Sequence, residues 1–429
     1  MPALLSVAII GHLPVAEVSH FVSAAALSTM LTTVTGVSVG NGLISAMDTL
    51  SSQAVGAGKP HLLGLHLRTG VLVTGGAFLL MFLVNWNAGW LLQSLGQDPT
   101  VSALAGTYSR ITVFGLPGLF LYELTKRALL AQNIASPMVA IAVVSNVVYV
   151  GLAYAFCYHS CLGFYGAAVA WVVSNTSLAL LPLAYLSVSR SHESWQITHS
   201  TWAEACLHAP VFLRLGSAGM AMMLMEWWAF ELMALLAGML ASPVVAVSVH
   251  AIVATISTTV YSVFLGVSVA TGVRVGQLIG ADNVDDARRM ATLCLWLTGA
   301  TGAVVALALY VLHDSLPVWM VANDATIAQA RRTLVVLAVF EVMDAVNCTA
   351  KGVLRAMGKQ HIGVYVSILA YYVVGVPIAA SLGLHWATGV PGLWAGLAAG
   401  VSFSAVALVG VISRPANWSS VVNHATSTV

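Results

Sequence analysis

Long apolar runs, each with few or no charged residues, recur along almost the whole chain. An α-helix needs about 20 such residues to cross the hydrocarbon core of a bilayer, and only a helix or a closed barrel satisfies its own backbone hydrogen bonds there. Of the 429 residues, 59% are hydrophobic and 7% are charged, whereas soluble domains usually carry about 25% charged residues. The sequence therefore predicts an all-α polytopic membrane protein embedded in a lipid bilayer.

Several function classes are disfavoured by features that the sequence lacks. The formal net charge is only +1, and a nucleic-acid partner would require clustered basic residues. Neither a GxxxxGK[ST] phosphate loop nor an HExxH metal motif occurs in the chain, so ATP hydrolysis and zinc-dependent hydrolysis are not predicted. We therefore expect a protein that is not an enzyme and that has no cofactor, no metal site and no nucleic-acid partner.

Glycine, proline and charged residues divide the apolar sequence into twelve segments. The first segment, 2–12, is too short to span a bilayer, so a truncated first helix is expected. The other predicted transmembrane helices are 21–47, 66–92, 101–122, 136–158, 164–187, 209–240, 244–272, 290–312, 327–350, 361–384 and 391–412.

The second half of the sequence repeats features of the first half. GQDPTVSALAGTYSRITVF (96–114) aligns with ANDATIAQARRTLVVLAVF (322–340), 226 residues later, and SQAVGAG (52–58) aligns with GQLIGAD (276–282), 224 residues later. Matches in the same order at nearly one offset indicate a duplicated six-helix unit. Because six is even, both copies have the same orientation, which makes a parallel repeat about an axis along the membrane normal.

The repeat predicts a chain built from two six-helix lobes. The N-terminal lobe is predicted at 1–187 and the C-terminal lobe at 209–413. The polar stretch 188–208 is predicted to be a cytoplasmic linker between them, and 414–429 a cytoplasmic tail.

Basic residues predict the orientation of the chain in the membrane. The opposite loops hold Glu17, Asp98, Asp314 and Asp324, without Lys or Arg. By the positive-inside rule the basic ends are cytoplasmic, and both termini then lie in the cytoplasm. The residues at this set of helix ends are Lys59, Arg68, Lys126, Arg127, Arg190, Arg214, Arg274, Arg288, Arg289, Lys351, Arg355, Lys359 and Arg414.

Stretches from both halves resemble one transporter family. The chain is similar to the multidrug and toxic compound extrusion (MATE) family, especially its eukaryotic branch. The resemblance implies twelve helices in two lobes and proton-coupled efflux of organic cations and xenobiotics by alternating access, in the plasma membrane or an acidic organelle membrane. The stretches that carry it are VTGVSVGNGLISAMDTLSSQAVGAGK (34–59), MEWWAFE (225–231), VRVGQLIGA (273–281), GVLRAMGKQHIG (352–363) and YYVVGVPIA (371–379).

One departure from the family pattern concerns the eighth predicted helix, 244–272. Animal members often carry a further glutamate there, but the corresponding stretch SVHAIVATIS has no acidic residue. Thr255 aligns with the missing glutamate, and His250 lies about one turn earlier. The departure implies that the coupling of transport to protons is altered in this chain.

Carboxylic acids interrupt two of the apolar segments. Glu226 lies near the middle of 209–240, and Glu231 follows five residues later, roughly 140° around the helix. In 327–350, Glu341 and Asp344 are three residues apart and lie close to one face. Placing an ionised acid at the bilayer centre costs on the order of 3 kcal/mol, which makes each intramembrane acid a functional candidate.

An acid beside aromatic rings can exchange a proton for an organic cation. Removal from water favours the protonated form of a carboxyl group, and an indole face attracts a cation by about 0.5–2 kcal/mol. The alternative for each acid is a structural role, hydrogen-bonded between helices. The predicted proton- and substrate-binding residues are Glu226, Glu231, Glu341, Asp344, Trp227 and Trp228.

Other residues are weaker candidates for gating or for lining a cavity. Asp48 lies near a predicted cytoplasmic helix end, where an ordinary ion pair is the alternative. His250 is a second titratable group, and a hydrogen-bonded core histidine is the alternative. Tyr261, Tyr371 and Tyr372 are placed to line a cavity, although aromatic residues in membrane helices usually serve packing.

The leading hypothesis is a secondary active transporter that uses a proton gradient to export organic cations. One alternative is a relative that carries another solute, such as an anionic metabolite or a lipid-linked substrate. A second is a non-transporting remnant, suggested by the short first segment. An intramembrane enzyme would also use Glu and Asp, but the parallel repeat favours alternating access.

Overall fold

The structure is a computed structural model, and it describes Ser6 and residues 9–13, 18–190, 192–196, 200–321 and 323–418. Glu17 and most of the predicted segment 2–12 lie outside these residues. The described part of the chain is almost entirely helical and contains no β-strand. Ten of its helices are long and apolar enough to cross a membrane. The prediction of an all-α polytopic membrane protein is confirmed.

The first six labelled helices cover the N-terminal half of the chain. The predicted span 66–92 is divided near Asn87, and a short helix, Ala88–Ser94, follows α2. The predicted span 101–122 is divided between α3 and α4 by a 3-10 turn, Val113–Gly115. The helices are α1 (Val18–Gly56), α2 (Leu62–Trp86), α3 (Pro99–Thr112), α4 (Leu116–Ala131), α5 (Ser136–Tyr158) and α6 (Gly163–Ser189).

The remaining helices cover the C-terminal half and correspond to the predicted spans one for one. Most extend several residues beyond the prediction, because polar residues continue a helix outside its apolar stretch. They are α7 (Trp202–Gly238), α8 (Pro243–Gly280), α9 (Val284–Leu312), α10 (Asp324–Ala356), α11 (Gln360–His385) and α12 (Val390–Ser413).

The described chain forms two compact units. The first comprises Met1–Met47 and Lys59–Met220, and the second comprises Asp48–Gly58 and Ala221–Val429. The limits of the two lobes predicted from the sequence remain a prediction.

Helix α10 lies at the centre of the second unit. It packs against α8, α9 and α12, and 67% of its most apolar stretch is buried, more than in any of the other nine spans. Ser268 of α8 donates a hydrogen bond to the Cys348 carbonyl of α10, at 2.7 Å. Thr349 donates to the Thr298 hydroxyl of α9, at 3.0 Å. Three charged residues in the second half of α10, Glu341, Asp344 and Lys351, are therefore buried inside the protein.

Helix α11 departs from α-helical geometry on both sides of Pro377. Ile368–Gly375 and Ser381–His385 are π-helical, and only Val376–Ala380 between them is α-helical. Proline has no N–H to donate to the preceding turn, and π-helical turns occur often at functional sites. Tyr371 and Tyr372 lie in the first π-helical stretch, which sets the direction of their side chains.

Candidate functional site

The Glu226 carboxylate on α7 is bound through both of its oxygens within the second unit. The Lys351 ammonium lies 2.9 Å from Oε2, and the Tyr371 hydroxyl donates a hydrogen bond to Oε1 at 2.8 Å. Glu226 is only 8% exposed and Lys351 only 4%. A carboxylate removed from water requires such partners, because an unpaired buried charge is costly.

The spacing of charges along α10 places Lys351 close to Asp344 as well as to Glu226. Seven residues separate Asp344 from Lys351, which is about two helical turns and places both on one face. Long helical side chains also point back toward the N-terminus, so the lysine stem runs toward Asp344. Asp344 is buried and interacts electrostatically with both Glu226 and Lys351. Two acids and one ammonium thus share a single cluster.

A chain of hydrogen bonds fixes the tyrosine that binds Glu226. The Ser404 hydroxyl on α12 donates to Asn347 Oδ1 at 2.7 Å. Asn347 Nδ2 on α10 in turn donates to the Tyr371 hydroxyl at 3.5 Å, and that hydroxyl donates to Glu226. Four helices therefore determine the position of one hydroxyl group, which pre-organises the carboxylate.

The cluster opens onto a cavity of about 280 Å³ in the second unit. The cavity has acidic and aromatic walls, a combination suited to an organic cation. Its lining residues are Glu226, Trp227, Phe230, Glu231, Ala234, His250, Ala254, Ser257, Thr258, Tyr261 and Asp344. The structure therefore brings together six residues that the sequence predicts for the site: Glu226, Trp227, Glu231, His250, Tyr261 and Asp344.

Three predicted residues near this cavity do not line it: Trp228, Tyr372 and Glu341. The Trp228 side chain is 46% exposed and does not line the cavity. The neighbouring Trp227 forms the cavity wall at this position. Tyr372 donates a hydrogen bond to the Met225 carbonyl at 3.1 Å. It thus holds the backbone next to Glu226 instead of presenting its hydroxyl to the cavity.

Glu341 is completely buried in the core, one turn before Asp344. Its carboxyl group interacts with Ser257 of α8 and with Asp344. Among the described residues it has no ion-pair partner within 4 Å. A buried carboxylate without a cation is costly, which makes Glu341 a candidate for carrying a proton.

His250 and Tyr261 reach the cavity from α8. The His250 ring packs against the Trp394 ring, with centroids 5.7 Å apart, and the residue is buried. Tyr261 packs against a small apolar cluster that includes Phe264 and Cys348. Both side chains therefore shape the cavity wall and are held in place by core packing.

Asp48 belongs to a separate polar cluster at the C-terminal end of α10. Its Oδ2 lies 3.4 Å from Arg355 Nε. The Thr49 hydroxyl donates to the Arg355 carbonyl, and Gln53 Nε2 donates to the Ala356 carbonyl at 2.8 Å. The last residues of α1 thus satisfy the free carbonyl groups that every helix leaves at its C-terminus.

Lys351 and Asn347 are site residues that the sequence analysis missed. The sequence pattern places Lys351 among the basic cytoplasmic helix ends, but the structure buries it against Glu226. The available signal was its seven-residue spacing from Asp344, which places both on one face. Asn347 carries no charge and gave no comparable signal.

The first unit contains a cavity of a different chemical character. Its volume is about 450 Å³, and none of its lining residues is charged. Hydroxyl and amide groups from Tyr108, Asn146, Tyr149 and Asn175 line it together with Trp171. The acidic residues that can bind a cation therefore line the cavity of the second unit.

Comparisons with known proteins place the geometry in context. The family model MatE matches residues 3–155 and 219–380. The human protein "Multidrug and toxin extrusion protein 1" is 36% identical over 413 residues, which are 95% of this chain and 70% of the human protein. Mouse "Multidrug and toxin extrusion protein 2" is 35% identical over 417 residues, which are 97% of this chain and 71% of the mouse protein.

Solved structures show the same fold. The crystal structure of the eukaryotic MATE transporter AtDTX14 superposes with a TM-score of 0.91 at 28% identity, covering 100% of this chain and 94% of that one. The Vibrio cholerae MATE transporter VcmN in its bent form superposes with a TM-score of 0.83 at 18% identity, covering 100% of this chain and 93% of that one. The similarity thus extends over the whole chain and includes both lobes of the fold.

Proposed function

This chain belongs to the MatE family of multidrug and toxin extrusion transporters, and we propose that it exports organic cations in exchange for protons. The proposal rests on one observation, the buried Glu226 carboxylate at the edge of a cavity that Asp344 and Trp227 also line. A carboxylate in such a place binds either a proton or a cation.

The exchange follows from competition for the same carboxylate. An arriving cation favours the ionised form of Glu226 and so releases its proton, and a proton arriving later releases the cation. By thermodynamic linkage the two effects have equal size. Alternating exposure of the cavity to the two sides of the membrane turns this competition into antiport.

The aromatic walls provide affinity without demanding one substrate shape. Trp227, Phe230 and Tyr261 offer ring faces, each worth about 0.5–2 kcal/mol to a nearby cation. Glu231 is exposed at the same cavity and adds a third carboxylate, beside Glu226 and Asp344, for polyvalent cations. This arrangement suits a range of organic cations.

A proton gradient is sufficient as the energy source. A difference of one pH unit is worth about 1.4 kcal/mol per proton, which supports about tenfold accumulation of a monovalent cation in one-for-one exchange. No cofactor is required for this cycle.

We also propose that both termini are cytoplasmic and that the protein lies in the plasma membrane or an acidic organelle membrane. A C-terminal tag accessible only from outside intact cells would contradict this topology.

The test is uptake by proteoliposomes that contain the purified chain. With an acidic interior, radiolabelled tetraethylammonium should accumulate, and a protonophore should abolish the accumulation. The anion p-aminohippurate and the neutral solute mannitol should not accumulate. Equal tetraethylammonium uptake with and without the pH gradient, or gradient-driven uptake of only the anion or the neutral solute, would overturn the proposal.

A further inference from the structure

The Lys351 ammonium is bound in the manner expected for a cationic substrate. Its Nζ lies 2.9 Å from Glu226 Oε2 and 5.4 Å from the centroid of the Tyr371 ring. A carboxylate combined with an aromatic face is a common way for proteins to recognise ammonium ligands. We infer that Lys351 is a tethered cation, which occupies the cation-binding position at Glu226 until a substrate displaces it.

This inference deepens the proposed function and rests on it. The proposed function assigns proton and cation binding to Glu226. The inference adds that the site begins its cycle already occupied by a group of the protein itself. Every organic cation must then compete with Lys351 as well as with the proton.

The backbone of α10 is fixed, so displacement involves the lysine side chain alone. A Cβ atom placed on Gly352 would lie 2.6 Å from the Ser268 carbonyl oxygen of α8, which shows how closely the two helices pack. Ser268 also bonds to the Cys348 carbonyl. The four-carbon stem of lysine, in contrast, is flexible and has alternative rotamers.

Asp344 provides the displaced ammonium with a second partner. It lies on the same face of α10 as Lys351, about two turns away, and the two groups already interact electrostatically. If the substrate binds Glu226 and Lys351 moves to Asp344, each of these two carboxylates is paired with a cation. An unpaired charge on these two carboxylates is thereby avoided once the substrate is bound.

The other charged and titratable groups near the pair lie on three helices. Tyr371 of α11 and Tyr261 of α8 act on Glu226 and Asp344. On α10 itself, Cys348 acts on Tyr261, as does Arg355. Tests of the inference are therefore made at one fixed pH, with a probe that has no proton to lose.

Occupation by Lys351 lowers the apparent affinity for substrate. If the site is free in only a fraction of the molecules, the measured Kd rises by the inverse of that fraction. Removing the ammonium should consequently tighten cation binding. Loss of a purely structural ion pair would weaken binding instead, so the sign of the change separates the two roles.

The experiment measures equilibrium binding of radiolabelled tetraethylammonium to the purified 429-residue chain. Lys351→Met keeps the length of the side chain and removes its charge, and we expect Kd to fall by about tenfold or more. Lys351→Arg places a bidentate, permanently charged group on Glu226, and we expect Kd to rise several-fold. Lys359→Met, in the connection between α10 and α11, is the matched control and should leave Kd unchanged.

The Glu226→Gln background tests whether Lys351 acts through Glu226. There, adding Lys351→Met should produce no further tightening of tetraethylammonium binding. An unchanged or higher Kd in Lys351→Met, with the wild type binding normally, would overturn the inference and leave the proposed function intact. Absence of binding in both wild type and Lys351→Met would overturn the proposed function as well. If Lys351→Met does not fold, an unchanged Kd in Lys351→Arg overturns the inference by itself.

Discussion

The Tyr371 hydroxyl donates a 2.8 Å hydrogen bond to Glu226 across 145 residues of sequence. The bond joins the π-helical stretch of α11 to the middle of α7. It is charge-assisted, and hydrogen bonds of this kind are worth about 1.5–3 kcal/mol. The tyrosine is thus part of the site as much as the acid is.

We expect Tyr371→Phe to raise the KM for tetraethylammonium by about tenfold. The substitution keeps the ring but removes one of the two partners of the Glu226 carboxylate, at a cost of about 1.5–3 kcal/mol. Tyr372→Phe is the control, because Tyr372 donates to a neutral carbonyl group. An effect of equal size in both variants would contradict a specific role for Tyr371.

Glu226→Gln should abolish pH-driven cation transport while expression and membrane insertion stay close to normal. Glutamine keeps the shape of the side chain but cannot exchange a proton. Glu226→Asp should keep some activity with a shifted pH profile. The measurement is tetraethylammonium uptake as a function of pH. Glu193→Gln, at an exposed glutamate, is the control. Wild-type rates and a wild-type pH dependence in Glu226→Gln would make Glu231 or Glu341 the first candidate.

Asp48 and Arg355 should show energetic coupling in transport. Their side chains are 17% and 16% exposed and form a 3.4 Å ion pair, so we expect Asp48→Asn and Arg355→Gln each to reduce the rate. The double variant should be less impaired than the two single effects predict, with a coupling of about 1 kcal/mol. Strictly additive effects would show that the pair is not functionally linked.

Gly276→Ala should destabilise the protein by about 1–3 kcal/mol through overpacking. A Cβ atom there would lie 2.6 Å from Ser52 Cβ, within the second unit. Gly75→Ala on α2 is the control, because its Cβ would meet no atom within 4 Å, and alanine stabilises a helix interior by about 0.5–1 kcal/mol relative to glycine. Thermal unfolding in detergent measures both, and an equal Tm for the two variants would disprove the predicted close packing.

The helices and the acidic residues were predictable from sequence because both depend on local properties. Runs of apolar residues predicted the C-terminal spans one for one, and a carboxylate within such a run is unusual wherever it occurs. The turn at Val113–Gly115 was not predicted, since apolar composition continues through it. The contacts that Glu226 makes were not predictable, for a different reason. Lys351 and Tyr371 are distant in sequence, and only tertiary packing shows which side of α10 and α11 faces α7.

The order of synthesis gives the buried ion pair a further consequence. Glu226 leaves the ribosome 145 residues before Tyr371 and also well before Lys351. During biogenesis α7 therefore enters the bilayer without either partner, at a cost on the order of 3 kcal/mol for an ionised acid. Either Glu226 is protonated when α7 enters the bilayer, or α7 stays at the translocon until α10 has been synthesised. Chains truncated before α10 would retain this acid without its partners.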